Sequence, residues 1–334
     1  MRAAPALLAA TALLVAVQPA HAQAQAQGRA QAQGHPRVLF HFDDGRITES
    51  SGLVDLGHGL MATVNDSGDG PYVYVVDADG HTVGVTDYGG RAIDVESMAP
   101  IDAGHVWVGD TGGNTTTRTS VQVYRVPVGR GDRTVQAPAY DLAYPDGAHD
   151  AETLLANPRS GRLYVVTKSF AGGTVYAAPR HLVTGGPNRL HPIGRVPGFL
   201  TDGSFLADGR HVLLRGYGGA AVYRFPDLVR VGPSFALPRQ QQGEGLSVGP
   251  GGRIRLSTEG RHTAVLQVAL PASVRQALSH PAAAPTSSPT PARPYHPPPR
   301  PQPTEPPAWW ATASLAAVLV LGGAWLWVHR RRRP

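Results

Sequence analysis

No cysteine occurs in the chain, so no disulfide holds any part of it and a hydrophobic core must suffice. Lysine is almost as scarce: Lys168 is the only one, and arginine supplies the rest of the 30 basic residues. With abundant Ala, Gly and Pro, that bias marks a GC-rich coding sequence. An excess of either charge is also missing from the middle of the chain. The formal net charge is +6, but Arg2, Arg29, Arg293, Arg300 and the four arginines at 330–333 lie towards the ends. Residues 35–280 carry 22 Lys+Arg against 23 Asp+Glu, which removes the electrostatic case for nucleic-acid binding. The histidines show no zinc-ligand spacing, and no sortase-type Leu-Pro-x-Thr-Gly signal is present.

The two ends have recognisable layouts. Residues 1–22 read as a signal peptide: Arg2, an apolar run at 6–17, then Ala20-His21-Ala22 as a small-x-small cleavage site. Residues 23–34 form a Gln/Ala linker without an apolar period, expected to be disordered. Residues 281–308 form a proline-rich stalk, expected to favour polyproline II at about 3.1 Å per residue, hence roughly 80 Å if straight. Thr286, Ser287, Ser288 and Thr290 lie among its prolines, a composition that permits O-glycosylation. Residues 309–328 are uncharged and, at about 1.5 Å per residue, match a ~30 Å hydrocarbon layer. Trp309, Trp310, Trp325 and Trp327 sit near the two ends of that span, and the basic tail 329–334 follows. The expectation is a single-pass, type I cell-membrane protein with an extracytoplasmic domain at 35–280.

That domain repeats itself five times. An acidic step precedes a hydrophobic strand in Asp94-Val95-Glu96-Ser97-Met98, Asp150-Ala151-Glu152-Thr153-Leu154 and Gln242-Gly243-Glu244-Gly245-Leu246. Looser copies are Glu49-Ser50-Ser51-Gly52-Leu53 and Thr201-Asp202-Gly203-Ser204-Phe205. The aligned apolar residues lie about 45, 56, 51 and 41 residues apart, by subtraction of their numbers. Periods of roughly 40–50 residues with several short strands per unit indicate propeller blades. Second strands are expected at 60–64, 105–108, 163–167, 211–214 and 253–257, each after a turn containing Gly57, Gly104, Gly161, Gly209 or Gly251-Gly252. Third strands fall at 72–76, 121–126, 174–177, 221–225 and 264–269, and fourth strands near 82–86, 139–143, 193–196 and 234–237. The fifth unit runs out at Pro271, and residues 37–42 are its missing partner. The expected fold is therefore all-β, a five-bladed β-propeller closed by an N-terminal strand. A sandwich would not explain the periodic acidic step.

First strands of a propeller line its channel, so the steps project Glu49, Asp94, Glu96, Asp150, Glu152 and Glu244 towards one mouth. The second-strand ends add Asn65, Asp66, Asp110, Lys168, Arg215 and Glu259, and the mouth loops include Asp69 and Asn114. Such carboxylates have three uses: holding Ca²⁺ by six to eight oxygens, working as an acid–base pair in hydrolysis, or pairing with Lys168 and Arg215 as a structural hub. Repetition in every blade favours the hub. Residues 65–70, Asn-Asp-Ser-Gly-Asp-Gly, fail as an EF-hand because Val76 stands where the twelfth-position Glu belongs. Asp110-Thr111-Gly112-Gly113-Asn114 is a similar loop one blade on, which favours a turn role for both. Gly245-Leu246-Ser247-Val248-Gly249 has the nucleophile-elbow pattern without its strand–turn–helix context. His149 reads as a loop histidine.

On Glu49-Ser-Ser-Gly-Leu53, Asn65-Asp-Ser-Gly-Asp69, Asp94-Val-Glu96, Gly109-Asp-Thr-Gly-Gly-Asn114 and Asp150-Ala-Glu152, the chain resembles a group of exported bacterial propellers, actinobacterial by composition, of unassigned activity. More distantly, Gln242-Gly-Glu-Gly-Leu246 is similar to a step of the phytase-like esterase propellers. Val95 stands where the closer group has Trp, and Gly113-Asn114 where it has Asp-Asn. The resemblance implies the fold and carries no activity. The role expected is a binding or scaffolding module for a cell-wall component or exported partner. The alternative is a Ca-assisted, phosphoesterase- or esterase-like hydrolase using the axial carboxylates.

Overall fold

The computed structural model describes residues 36–66, 68–113 and 117–280. The signal peptide, both linkers, the membrane span and the basic tail fall outside these residues, as do Ser67 and Asn114. Two compact units divide the chain, Met1–Ala282 and Ala283–Pro334, and the fold below belongs to the first. Among the described residues no helix is long and apolar enough to cross a membrane.

Twenty-two strands fold into five antiparallel blades, the number that the sequence period predicts. An N-terminal strand β1 (Arg37–His41) comes first. Blade 1 is β2 (Ser50–Gly57), β3 (Leu60–Asn65), β4 (Tyr72–Val76) and β5 (Thr82–Asp87). Blade 2 is β6 (Ser97–Asp102), β7 (His105–Asp110), β8 (Ser120–Pro127) and, after a short β9 (Arg133–Thr134), β10 (Ala139–Ala143). Blade 3 is β11 (Ala151–Ala156), β12 (Leu163–Thr167), β13 (Gly173–Ala177) and, after a short β14 (Asn188–Arg189), β15 (His191–Val196). Blade 4 is β16 (Asp202–Phe205), β17 (His211–Arg215), β18 (Gly219–Arg224) and β19 (Arg230–Ala236). Blade 5 has β20 (Leu246–Gly249), β21 (Arg253–Leu256) and β22 (Ala264–Val268), and β1 completes it by pairing Arg37 with Gln267 and His41 with Ala264.

Each inner strand touches the next, β2 to β6, β11, β16, β20 and back to β2, so the ring is closed. Closure leaves no inner edge to recruit another chain. Leu53, Met98, Leu154, Phe205 and Leu246 all lie in these inner strands.

The core consists of five separate layers, one between each pair of neighbouring blades. A strand's side chains alternate between its two faces, so one strand feeds two layers. Val165 packs with Val123 and Leu154 between blades 2 and 3. Its neighbours Tyr164 and Val166 pack with Phe205 and Leu214 between blades 3 and 4. Val54 and Leu56 join Met98 and Val108, whereas Leu53 joins Phe40, Phe42 and Val265 at the closing seam. Burying each such aliphatic side chain contributes about 1.5–3 kcal/mol. Polar contacts reinforce the seam: Arg255 pairs with Asp55, and the Ser50 hydroxyl donates to Ser257 Oγ at 2.8 Å.

Three features depart from the sequence reading. Of the five hairpin turns, the one at Gly104 does not use a positive φ; there Asp102 Oδ1 accepts the Gly104 amide at 2.8 Å, whereas Gly161 and Gly209 adopt φ of +66° and +60°. The short strands β9 and β14 leave their own blades and pair in parallel with β5 and β10 of the preceding blade. A helix, α1 (Ala272–Ser279), follows the last strand and packs on β19. It is too short to persist on its propensity alone; its fully buried Val274 anchors it to the layer between blades 4 and 5.

Candidate functional site

The acidic steps enter the inner strands at one mouth of the ring. Aligned on the strand, the glutamate position is Ser51 in blade 1, Glu96 in blade 2, Glu152 in blade 3, Gly203 in blade 4 and Glu244 in blade 5. Blade 4 admits no side chain there. A Cβ on Gly203 would lie 2.5 Å from Leu214 Cδ2 and 2.9 Å from the Leu213 carbonyl oxygen. Blade 1 contributes a hydroxyl instead: Ser51 Oγ lies 3.1 Å from the Glu96 carbonyl, 3.4 Å from Glu96 Oε2 and 3.3 Å from Glu244 Oε2.

The three glutamates converge with two aspartates. Asp66, Glu96 and Glu244 each bring a carboxylate oxygen to within 4.8 Å of the others, and so do Glu96, Asp150 and Glu152. Glu96 belongs to both groups, and all three glutamates are at most 3 % exposed. Lys168 pairs with Glu152 through Oε1, while Oε2 of the same carboxylate is buried without a hydrogen-bond partner. Tyr217 joins the edge of the cluster, its hydroxyl 3.4 Å from Glu244 Oε1 and 3.4 Å from Lys168 Nζ.

So dense a set of acids shifts its own protonation. Burial, then the charges of Asp66, Asp94, Glu244 and Asp150, push Glu96 up to about 10. Burial and the neighbouring Glu259 carboxyl push Glu244 up to about 8. Burial and the Glu244 charge raise the Tyr217 phenol to about 12. A cation among these oxygens would reverse the balance, because it favours the charged form of every carboxylate it meets.

The remaining residues singled out in the sequence take other places. Glu49 forms a backbone bridge with Glu259 at the seam between blades 1 and 5, outside the two carboxylate groups. Asp94 is 9 % exposed beside the cluster, against the Gly112-Gly113 loop. There a Cβ on Gly112 would meet Asp94 Cγ at 2.5 Å and Glu96 Cγ at 2.7 Å, so a glycine is what lets the loop lie on the acids. Asp150 Oδ1 accepts the Gly113 amide at 3.0 Å.

Asn65 and Asp110 are internal braces with matching roles in successive blades. Asn65 Oδ1 accepts the amides of Thr48 and Glu49 at 3.0 and 3.1 Å; Asp110 accepts those of Ile93 and Asp94, both at 3.0 Å. Asp69 accepts from Asn65 Nδ2 and the Tyr74 hydroxyl. Arg215 is fully buried but donates to the carbonyls of Gly245 and Ser257 and to Gln240 Oε1, with no ion pair to the glutamates. Asp202, also fully buried, accepts the amides of Gly203 and Leu246, and burial raises it well above the usual carboxylate range. His149 lies with Asp146 and Tyr176, its Nε2 3.1 Å from Asp146 Oδ1 and 3.0 Å from the Tyr176 hydroxyl. Ser247 Oγ accepts the Asp55 amide at 2.9 Å within β20, in strand context and not at an elbow.

Ser51, Tyr217, Phe170 and Phe199 were not anticipated at the mouth. The repeat itself held a signal for two of them. Ser51 occupies the glutamate register, and Tyr217 follows a second strand just as Asp66 and Lys168 do.

No protein-family model matches the chain, and no curated protein does. Among solved structures it is similar to a streptogramin B lyase, at 8 % identity over 71 % of this chain and 97 % of that one, with a TM-score of 0.38. It is also similar to a gluconolactonase from Xanthomonas campestris, at 15 % identity over 71 % of this chain and 89 % of that one, with a TM-score of 0.42. Likenesses this remote transfer no residue role.

Proposed function

We propose that this propeller is a membrane-anchored, extracytoplasmic binding module whose mouth holds a divalent cation, Ca²⁺ being the best match. Export by residues 1–22 and anchoring by 309–328 supply its location, and the ion presents a coordination point to an oxygen-rich cell-wall ligand or exported partner. The observation that carries the reading is the sharing of Glu96 between two triads of carboxylates, next to a buried, unpartnered Glu152 oxygen. Hard oxygen donors in that number suit Ca²⁺, which takes six to eight of them at about 2.3–2.6 Å. A hub closed by basic side chains is less well supported, since Lys168 reaches Glu152 but Arg215 spends its donors mainly on backbone carbonyls. A second reading, Ca-assisted ester or phosphoester hydrolysis, draws on Glu244: a carboxyl raised to about 8 beside an ion is a proton donor near neutral pH.

The test is thermal unfolding of the full chain in detergent, in millimolar Ca²⁺ and in EDTA. A site at a hundred times its Kd adds about 2.7 kcal/mol, so the midpoint rises with calcium in the wild type and does not in Glu96→Gln. An unchanged wild-type midpoint would sink the cation. Turnover of a nitrophenyl phosphate or ester, lost in Glu244→Gln with folding intact, would move the protein to the hydrolase reading. Protease protection of the tail 329–334, but not of the propeller, in intact cells checks the topology.

A further inference from the structure

An aromatic row leads from solvent to the carboxylate mouth, built by three separate loops of blades 3 and 4. Phe170, in the β12–β13 turn, is 94 % exposed, an unusual state for so apolar a side chain. It stacks on Phe199 of the β15–β16 connection, with ring centroids 4.5 Å apart and planes inclined by 25°. Phe199 in turn lies 6.1 Å from Tyr217 of the β17–β18 turn, inclined by 35°. Lys168 Nζ sits 5.0 Å from the Phe199 centroid and 5.7 Å from that of Tyr217. The row ends where the Tyr217 hydroxyl meets Glu244. Phe199 and Tyr217 also wall an open groove of about 1520 Å³ that continues past Pro197, Leu200, Phe235 and Leu237. That exceeds the roughly 300–1,000 Å³ of a site for a small molecule, so the groove fits an oligomer.

A ligand for this surface needs flat apolar faces at intervals and an anionic oxygen at one end. A purely apolar partner would bring nothing to Asp66, Glu96 and Glu244, and a polyphosphate backbone would face those acids along its length with Lys168 already paired to Glu152. A pyranose presents a C–H face to an aromatic ring and polar groups at its edge. Resting on the cation proposed above, we infer that the mouth binds a carboxylate-bearing oligosaccharide: its sugar rings stack along Phe170, Phe199 and Tyr217, and one carboxylate reaches the ion.

Calorimetric titration of the full chain in detergent with tetragalacturonate, in millimolar Ca²⁺, tests this. Binding is expected, weakened about tenfold by Phe170→Ala, in line with what loss of one stacking ring costs, and abolished by EDTA. The calcium-induced rise in unfolding midpoint stays the same in Phe170→Ala, which separates the shelf from the ion. Unaltered affinity in both Phe170→Ala and Phe199→Ala overturns the inference. So does an absence of binding while calcium still shifts the midpoint, an outcome that leaves the cation reading standing. Equal affinity for a neutral galactose tetramer removes the carboxylate assignment. Tight binding of a single-stranded oligonucleotide in its place would mark a different ligand class and also overturn it.

Discussion

Glu96 and Glu152 occupy one register position in neighbouring blades, yet their surroundings differ. Glu152 lies against the ammonium of Lys168; Glu96 faces Asp66, Asp94, Asp150 and Glu244, with the Ser51 hydroxyl nearby. Blade 3 therefore carries its compensating charge in its own sequence, while blade 2 depends on a proton or a bound cation. The same letter in a repeat need not mean the same chemistry. Here the difference rests on one residue at the end of the second strand, Asp110 in blade 2 and Lys168 after Thr167 in blade 3.

Removing the lysine should erase the contrast, and this is the largest effect expected. Lys168→Met leaves Glu152 as a buried acid without its partner, a change that costs about 3–5 kcal/mol. Denaturant unfolding in EDTA reads it, and calcium should restore part of the loss. A change below about 1 kcal/mol would mean that Glu152 is not held as half of an ion pair.

Acidity distinguishes the two glutamates next. Between the ordinary 4.5 and about 10, folded Glu96 keeps a proton that the unfolded chain releases. The folded state then binds more protons, so stability falls as pH rises through that window, by at most about 1.4 kcal/mol per pH unit. Glu244 adds to the slope in the same direction up to about 8. Chemical denaturation at pH 5, 6, 7 and 8 in EDTA should show the decline, and Glu96→Gln should flatten it. A stability that rises across this range would contradict the geometry of the cluster.

The mildest perturbation is Ser51→Ala. It removes the hydroxyl between Glu96 and Glu244 and should cost about 1 kcal/mol in EDTA. In calcium the ion supplies the missing attraction, and the cost should shrink. An equal cost in both conditions would place Ser51 as a purely structural link to the Glu96 carbonyl.

The ring was legible in the sequence, because alternation and glycine turns are local signals and Leu53, Met98, Leu154, Phe205 and Leu246 mark every inner strand. The closing role of residues 37–41 followed from the strand missing in blade 5. Which carboxylates meet was much less legible. Asp66 comes from a loop of blade 1, Glu96 from blade 2 and Glu244 from blade 5, and their approach depends on loop geometry that no spacing encodes. Asn65 and Asp110 have the composition of ligand-loop residues but spend their oxygens on backbone amides. The helix α1 escaped notice because its eight residues carry little periodic signal and one buried valine fixes it.

The β1–β22 seam also sets an order of events during synthesis. Arg37 is among the first propeller residues made and Gln267, its partner, among the last, 230 positions later by subtraction. At about 5–20 residues per second, β1 waits roughly 10–50 s for its place in the sheet. Throughout that interval four nascent blades stand with open edges, and a chain that stops before β22 never covers them. Translation arrest late in the chain is therefore more hazardous for this protein than its finished, edgeless ring would suggest, and the burden falls on whatever holds the chain in the meantime.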